Sequence, residues 1–397
     1  MKKYILTERS DLFEPNVYIS LVVSLSGSVS IEKIKNAVMQ AYKANEATMS
    51  KVVLQENGEA FYQKMDCSGC RVIIEHRDYG SIISESEKQP FAIKNGEMIR
   101  TYIIPEDTGF TLLIMAHHLV GDGQSILIFL QDMIDCLSGK TVDYKPMELV
   151  DPVRLVKKFH MPYYIRAFCK ICNRKWKKQG RNFTWEDYET IHLRYWEKHH
   201  SELFIQTYSA DEIKSMCPQG ITVNSFMVTK LSALYPESAS IGIPVSIREQ
   251  SCSMSNQTSG IKIAFTYNKE LSYEENVSEV HGKISQAIHN KFTKYMVLPF
   301  VAMIHPTLMD AVIMQAYGLY QNDLSERVGT ASGYFGKNKR DLGITNLMKV
   351  NISCDCRDFQ LADILFIPPK VAYSKAIIGI ITYQDKMHVC WHRMIKD

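Results

Sequence analysis

The feature that most restricts this chain is a change of hydrophobic period across seven residues. Phe110 to Ala116 is a nearly continuous apolar run of strand length, whereas Ile126, Phe129, Leu130, Met133, Ile134 and Leu137 recur at helical spacing as far as Gly139. Between them stands His117-His118-Leu119-Val120-Gly121-Asp122-Gly123. The segment therefore reads as a strand-to-helix turn. Side chains alternate across a strand, so His117 and His118 point to opposite sides and only one of them faces a given cleft. Asp122 stands where a helix N-cap belongs, and Gly123 where a bulky or restricted residue is not tolerated.

The same alternation of strand and helix signals runs along the rest of the chain. Val17 to Ser26 reads as a buried strand, followed by a helix capped by Ser30 with Ile31, Ile34, Val38 and Tyr42 on one face. Val52 to Leu54 and Ala60 to Tyr62 flank Asn57-Gly58, which predicts a hairpin with a two-residue turn. Ile99 to Ile104 pairs with the strand that runs into the histidines, around Pro105 to Gly109. Further on, helices are expected at Ser225 to Leu234, within Tyr273 to Phe292 and within Met309 to Tyr320, with strands near Ala239 to Ile247 and Gly260 to Thr266. A closing hairpin joins Ile377 to Tyr383 with Met387 to Trp391. Strands and helices are mixed in both halves, so the class is α/β or α+β with two-layer packing. We divide the chain into an N-terminal lobe (1–150), a crossover (151–200) and a C-terminal lobe (201–397).

Composition narrows the function. A chain of 397 residues with 46% hydrophobic and 22% charged residues is large enough for a two-lobed enzyme. A formal charge of +3 is too small for the whole protein to behave as a nucleic-acid binder. Ten cysteines without a regular framework read as reduced thiols, and Glu8, Arg9 and Asp11 interrupt any apolar signal segment; both features lead us to expect a cytoplasmic protein. The crossover is unlike the rest: ten cations lie between Arg154 and Arg181, and no acid intervenes from Pro152 to Trp185. Two readings stay open for it, a solvated face, or a patch for an anionic partner such as coenzyme A, an acidic carrier protein or a membrane surface.

His-His-x-x-x-Asp-Gly at 117–123 resembles the signature of the condensation-domain and chloramphenicol-acetyltransferase-like superfamily at every fixed position. Gln89-Pro90-Phe91-Ala92-Ile93 with Met98-Ile99-Arg100 resembles the approach to the family's pre-motif hairpin. Ile243-Pro244-Val245-Ser246-Ile247-Arg248 resembles the strand that supplies an arginine, and Thr345-Asn346-Leu347 a Ser-Asn-Leu-Gly stretch. The resemblance implies a V-shaped pair of lobes around a tunnel, entered by an acyl thioester from one face and by the acceptor from the other. It implies that His118 is the catalytic base, that His117 and Gly123 support it, and that Asp122 pairs with Arg248. Thr345 is the candidate oxyanion donor, although Met348 stands where the family often has glycine. No permanent cofactor is implied beyond coenzyme A or phosphopantetheine as thioester co-substrate; the partners are a small-molecule donor and acceptor, with an acyl carrier protein as an alternative donor.

Departures from the family narrow the subtype. Asn45-Glu46-Ala47-Thr48-Met49 keeps only the glutamate of the Arg-His-Glu-x-Leu-Arg box of peptide-forming domains, the Asp-Phe-Gly-Trp-Gly box of plant acyltransferases is absent, and these residues contain no adenylation or carrier module. The expectation is a stand-alone enzyme similar to alcohol acetyltransferases. A catalytically silent docking protein, or an enzyme running hydrolysis or cyclisation, are the alternatives. Opposed histidines and the lack of His-Glu-x-x-His argue against a metal site. Cys67/Cys70 and Cys169/Cys172 read as separate thiol pairs. Ser125, without Gly-x-Ser-x-Gly, reads as a first-turn residue, and His199-His200 as surface.

Overall fold

The computed structural model describes residues 2–249, 251–336, 341–354, 356–371 and 374–396. Two mixed sheets form its frame. The first has five strands in the order Phe359–Ile367, Tyr18–Gly27, Gly109–His117, Ile99–Glu106 and Arg71–Ile74. All neighbours in it are antiparallel except the last pair. The second has six strands, Thr258–Ala264, Ser240–Ser246, Leu342–Val350, Ala376–Tyr383, Lys386–Lys396 and His199–Ser209. A small third sheet joins Lys3–Tyr4, Ala60–Lys64 and Ser50–Leu54.

Each large sheet buries one face under helices whose apolar stripes the sequence sets out. On the first, Ile31–Ala44 packs beside Gly123–Leu137, with Tyr42 stacked on Phe129 at 5.2 Å between ring centres. Ser30 caps the earlier helix through Lys33 N–H at 3.3 Å, as its position predicts. Ile126, Phe129, Leu130, Met133, Ile134 and Leu137 are all fully buried; each such side chain contributes about 1.5–3 kcal/mol relative to exposure. On the second sheet, Val223–Ser232 and Tyr273–His289 build a separate core, joined by Phe226 against Tyr273.

The lobes are not contiguous stretches of chain. Phe359–Ile367 leaves the second lobe and pairs antiparallel with Tyr18–Gly27, becoming the edge strand of the first sheet. The helix Pro306–Ala316 likewise packs into the first core, where Asp310 accepts from Arg9 Nε at 2.7 Å and Nη2 at 2.5 Å. The crossover forms three helices, Pro152–Val156, Tyr163–Gln179 and Trp185–Trp196.

Two local readings need correction. The hairpin at Asn57-Gly58 exists, but Gln55 N–H donates to Glu59 O at 2.8 Å, leaving a three-residue loop in which Gly58 takes a φ of +81°. The Asn57 side chain accepts from Glu59 N–H instead of adopting the second positive φ of a two-residue turn. His199-His200 is half-buried, opening a strand of the second sheet, and His199 stacks on Tyr195 at 4.1 Å. All ten cysteines are free thiols. Among the described residues no single helix is long and apolar enough to cross a membrane; one pair, Val297–Met303 with Pro306–Ala316, passes by length and composition but is bent by 109°.

Candidate active site

The strand Gly109–His117 delivers its last residue to the core and the next to a cleft. His117 is wholly buried, with its ring edge against Tyr18 and Phe91, and its Nδ1 accepts from Leu119 N–H at 3.2 Å. Burial pushes its imidazole down to about 3, so the ring stays neutral at ordinary pH. Its neighbour His192, which meets the Tyr18 hydroxyl at 3.0 Å through Nδ1, is held at about 3 for the same reason. His118 opens a single turn, His118–Val120, and its half-buried ring lines a cavity of about 1030 Å³ between the lobes. Its backbone N–H is tied to Val17 O at 3.0 Å and Tyr62 OH donates to Leu119 O at 2.8 Å, so the turn is pinned from both sides.

Asp122 caps the helix and also fastens it to the second lobe. Its Oδ1 accepts from Ser125 N–H and Oγ at 3.0 Å each and from Arg248 Nη2 at 3.1 Å. Its Oδ2 accepts from Gln257 N–H at 3.0 Å and Thr258 Oγ1 at 2.8 Å. Arg248 in turn donates to the carbonyls of Ser253 and Ser255 at 2.6 and 2.9 Å. The ion pair is nearly dry, with side-chain exposures of 4% for Asp122 and 11% for Arg248. All the hydrogen bonds of this carboxylate go to the start of its own helix or to residues 248–258, so it joins the two. Gly123 leaves room for Leu347, whose Cδ2 would stand 2.6 Å from an added Cβ, while the backbone demand falls on Gly121, with a φ of +151° and Ser125 Oγ 2.3 Å from a Cβ position.

Two residues that the sequence reading left out complete the surroundings of His118. Asn256 Nδ2 lies 3.1 Å from His118 Nδ1, and Asp11 Oδ2 lies 3.6 Å from the same nitrogen and 3.4 Å from Asn256. Among the described residues, Nε2 has no hydrogen-bond partner. Burial raises the Asp11 carboxyl above its usual range, and the nearby imidazole opposes that rise. Thr345 lines the same cavity from the strand Leu342–Val350, and among the described residues its side chain makes no hydrogen bond. Met348 sits three residues on, at a φ of +65°, in the region where glycine is at ease, beside the register shift between Asn346 and Lys349. The approach segment has a structural use: Arg100, wholly buried, donates to the carbonyls of Ser86, Gln89 and Pro90 and pairs with Glu97. Among the described residues no three His, Cys, Asp or Glu side chains are grouped to hold a metal ion.

Two mixed layers whose facing edges enclose a cavity, with a histidine-bearing strand-to-helix turn at its wall, make up an architecture shared with solved condensation domains. Residues 10–149 match the family described as Condensation domain. The chain resembles polyketide synthase associated protein 5 from Mycobacterium tuberculosis with a TM-score of 0.62 at 10% identity, covering 100% of this chain and 93% of that one. It resembles equally a variant of the starter condensation domain of rhizomide synthetase RzmA in complex with C8-CoA, with a TM-score of 0.62 at 10% identity over 99% and 89% of the chains. By sequence, 145 residues are 22% identical to surfactin synthase subunit 1 of Bacillus subtilis (strain 168), which is 36% of this chain and 4% of that protein. The chain thus spans a small part of the length of such curated relatives. The epimerization domain from the third module of tyrocidine synthetase B has the same fold, at a TM-score of 0.59, 10% identity and coverage of 99% and 92%, so the architecture alone does not fix one reaction.

Proposed function

We propose that this protein transfers an acyl group from a coenzyme A or carrier-protein thioester to an alcohol or amine, with His118 as general base. The observation that carries the reading is the division of labour in the histidine pair: one ring is sealed in the core and neutral, while the other lines a cavity that both lobes build. His118 Nε2 takes the proton of the acceptor as its oxygen or nitrogen attacks the thioester carbonyl. The tetrahedral intermediate then expels the thiolate, which takes the proton back from His118. For Nε2 to act as base, Nδ1 must carry the other proton. Asp11 stands on that side, its carboxylate 3.6 Å from Nδ1, as the acceptor toward which that proton points. Thr345 is the candidate donor to the developing oxyanion. Asp122 and Arg248 touch no reacting atom; they fix the turn.

The subtype we favour is an enzyme of the alcohol acetyltransferase kind, acting in the cytoplasm, with the thioester as its only co-substrate. The test is a matrix of acyl-CoA donors against pooled alcohols and amines, read by mass spectrometry. A new ester or amide with wild type, absent with folded His118→Ala, supports the reading. Thioester hydrolysis without any acceptor product points to hydrolysis instead, and turnover equal in the two proteins overturns the role of His118.

A further inference from the structure

The crossover helix Tyr163–Gln179 presents to solvent a face whose composition is unusual for a solvated surface. Cys169, Cys172 and Trp176 anchor the helix to the body of the protein. At about 100° per residue, the exposed positions cover roughly half of its circumference. That half carries Arg166, Lys170, Arg174, Lys175, Lys177 and Lys178, with no acid among them. Arg154, Lys157, Lys158 and Arg181 extend the patch, and among the described residues only Lys158 and Arg181 of the ten pair with a carboxylate. The whole chain has a formal charge of +3, so ten cations on the 152–185 stretch, which has no acid, leave the remainder at −7. The positive charge of the chain is therefore concentrated on this stretch of sequence.

Large apolar groups share the same face. Tyr163 is 83% exposed and Tyr164 70%, with Val153 and Ile171 also open to solvent. Tyr163, Tyr164 and Ile171 line the interlobe cavity as well, so they stand at its rim. Behind them the wall is apolar, built by Phe168, Val297, Leu298, Phe300 and Val301. Aromatic tips with a polar end beside long cationic side chains are the pairing that suits a bilayer's headgroup layer, and each Lys or Arg near an anionic membrane is worth about 1 kcal/mol.

We propose that this face docks on an anionic phospholipid membrane, with the cations over the headgroups, Tyr163 and Tyr164 in the interfacial layer, and the cavity mouth held against the bilayer. A small soluble substrate has no need of an apolar rim that is exposed and ringed with charge. A lipid-dissolved acyl donor or acceptor does, because it passes from bilayer to cavity without crossing water. The docking itself stands apart from the acyl-transfer reading and requires no turnover to test.

The experiment is co-sedimentation of the full chain with vesicles of phosphatidylcholine alone, and with a third of it replaced by phosphatidylglycerol, at low and high salt. Wild type is expected to bind the anionic vesicles at low salt and to be released at high salt. Changing Lys175, Lys177 and Lys178 together to glutamate should cut partitioning by about a hundredfold or more. Tyr163→Ser with Tyr164→Ser should cut it by about tenfold while the salt dependence remains. All five residues are exposed, so thermal midpoints should match wild type and serve as the folding control. Equal partitioning into both vesicle types, or a triple variant that binds like wild type, overturns the proposal. So does an absence of vesicle binding, in which case capture of an acidic carrier protein by the same face would assign the patch to that partner.

Discussion

Replacing Asp122 by asparagine keeps the side-chain volume and removes the charge, which makes it a clean test of the joint between the lobes. The carboxylate is surrounded by donors alone: Ser125 N–H and hydroxyl, Arg248, Gln257 N–H and the Thr258 hydroxyl. An amide has one acceptor oxygen, so whichever way it turns, its NH2 faces groups that also donate. Arg248 is left without a counter-charge in a nearly dry site. Breaking a buried pair by changing one partner costs about 3–5 kcal/mol, and hydrogen bonds to a charged group about 1.5–3 kcal/mol each, but these terms overlap in one network and do not add. A loss of about 3–5 kcal/mol is therefore expected, lowering the thermal midpoint of a chain this size by roughly 4–6 °C. Melting should be followed by intrinsic fluorescence and by calorimetry for Asp122→Asn, Arg248→Met and the double variant. If the pair is as described, the double variant loses clearly less than the two single losses together. An Asp122→Asn protein that melts within a degree of wild type, or single losses that simply add, would refute the argument.

Three further outcomes are expected. His118→Ala should lower kcat/KM by a factor of about 100 or more without moving the melting temperature, whereas His117→Ala should open a cavity against Tyr18 and Phe91 and cost on the order of 2 kcal/mol while folded molecules keep more activity. Asp11→Asn should lower kcat about tenfold or more with little change in KM; because burial disfavours the charged carboxyl, its stability at pH 7 should equal or exceed wild type, a combination that a purely structural role for Asp11 does not give. His192, held at about 3 when folded and near 6.5 when unfolded, resists protonation only in the native state, so its contribution is intact above pH 6.5 and is lost as the pH falls toward 3. Wild type should therefore lose stability relative to His192→Asn by about 1 kcal/mol per pH unit below 6.5 in urea titrations; a constant difference from pH 7 to 5 would contradict this.

What the sequence revealed and what it hid follow from the range of the interactions. The motif turn was readable because its determinants are local: an apolar run, a cap and a helical stripe within about thirty residues. The opposed directions of His117 and His118 were expected from strand alternation, and they hold although the strand ends at His117 and His118 opens a turn. Asn256 was invisible because its partner lies 138 residues away and its own neighbourhood, Ser253 to Gln257, has neither a period nor a charge to mark it. Asp11 registered only as a charge near the N-terminus, since nothing local says that a single turn, Arg9–Asp11, brings it to His118. The departure at Met348 was visible as a residue type, yet its cause, a left-handed backbone at a strand irregularity, is a property of the parallel pairing with Ala376–Tyr383. The hairpin at Gly58 shows the converse, a correct local signal for a reversal whose loop length the dipeptide did not fix.

The loan of Phe359–Ile367 to the first sheet also sets a timetable. During synthesis the ten-residue strand Tyr18–Gly27 has its inner neighbour, Gly109–His117, early, but its outer edge stays open until Phe359–Ile367 has been made. An open, apolar edge of that length is a template for pairing with another chain. A nascent or truncated molecule ending near residue 200 is therefore an aggregation hazard, and dividing the gene at the apparent lobe boundary should give a first fragment that aggregates unless the strand is supplied in trans.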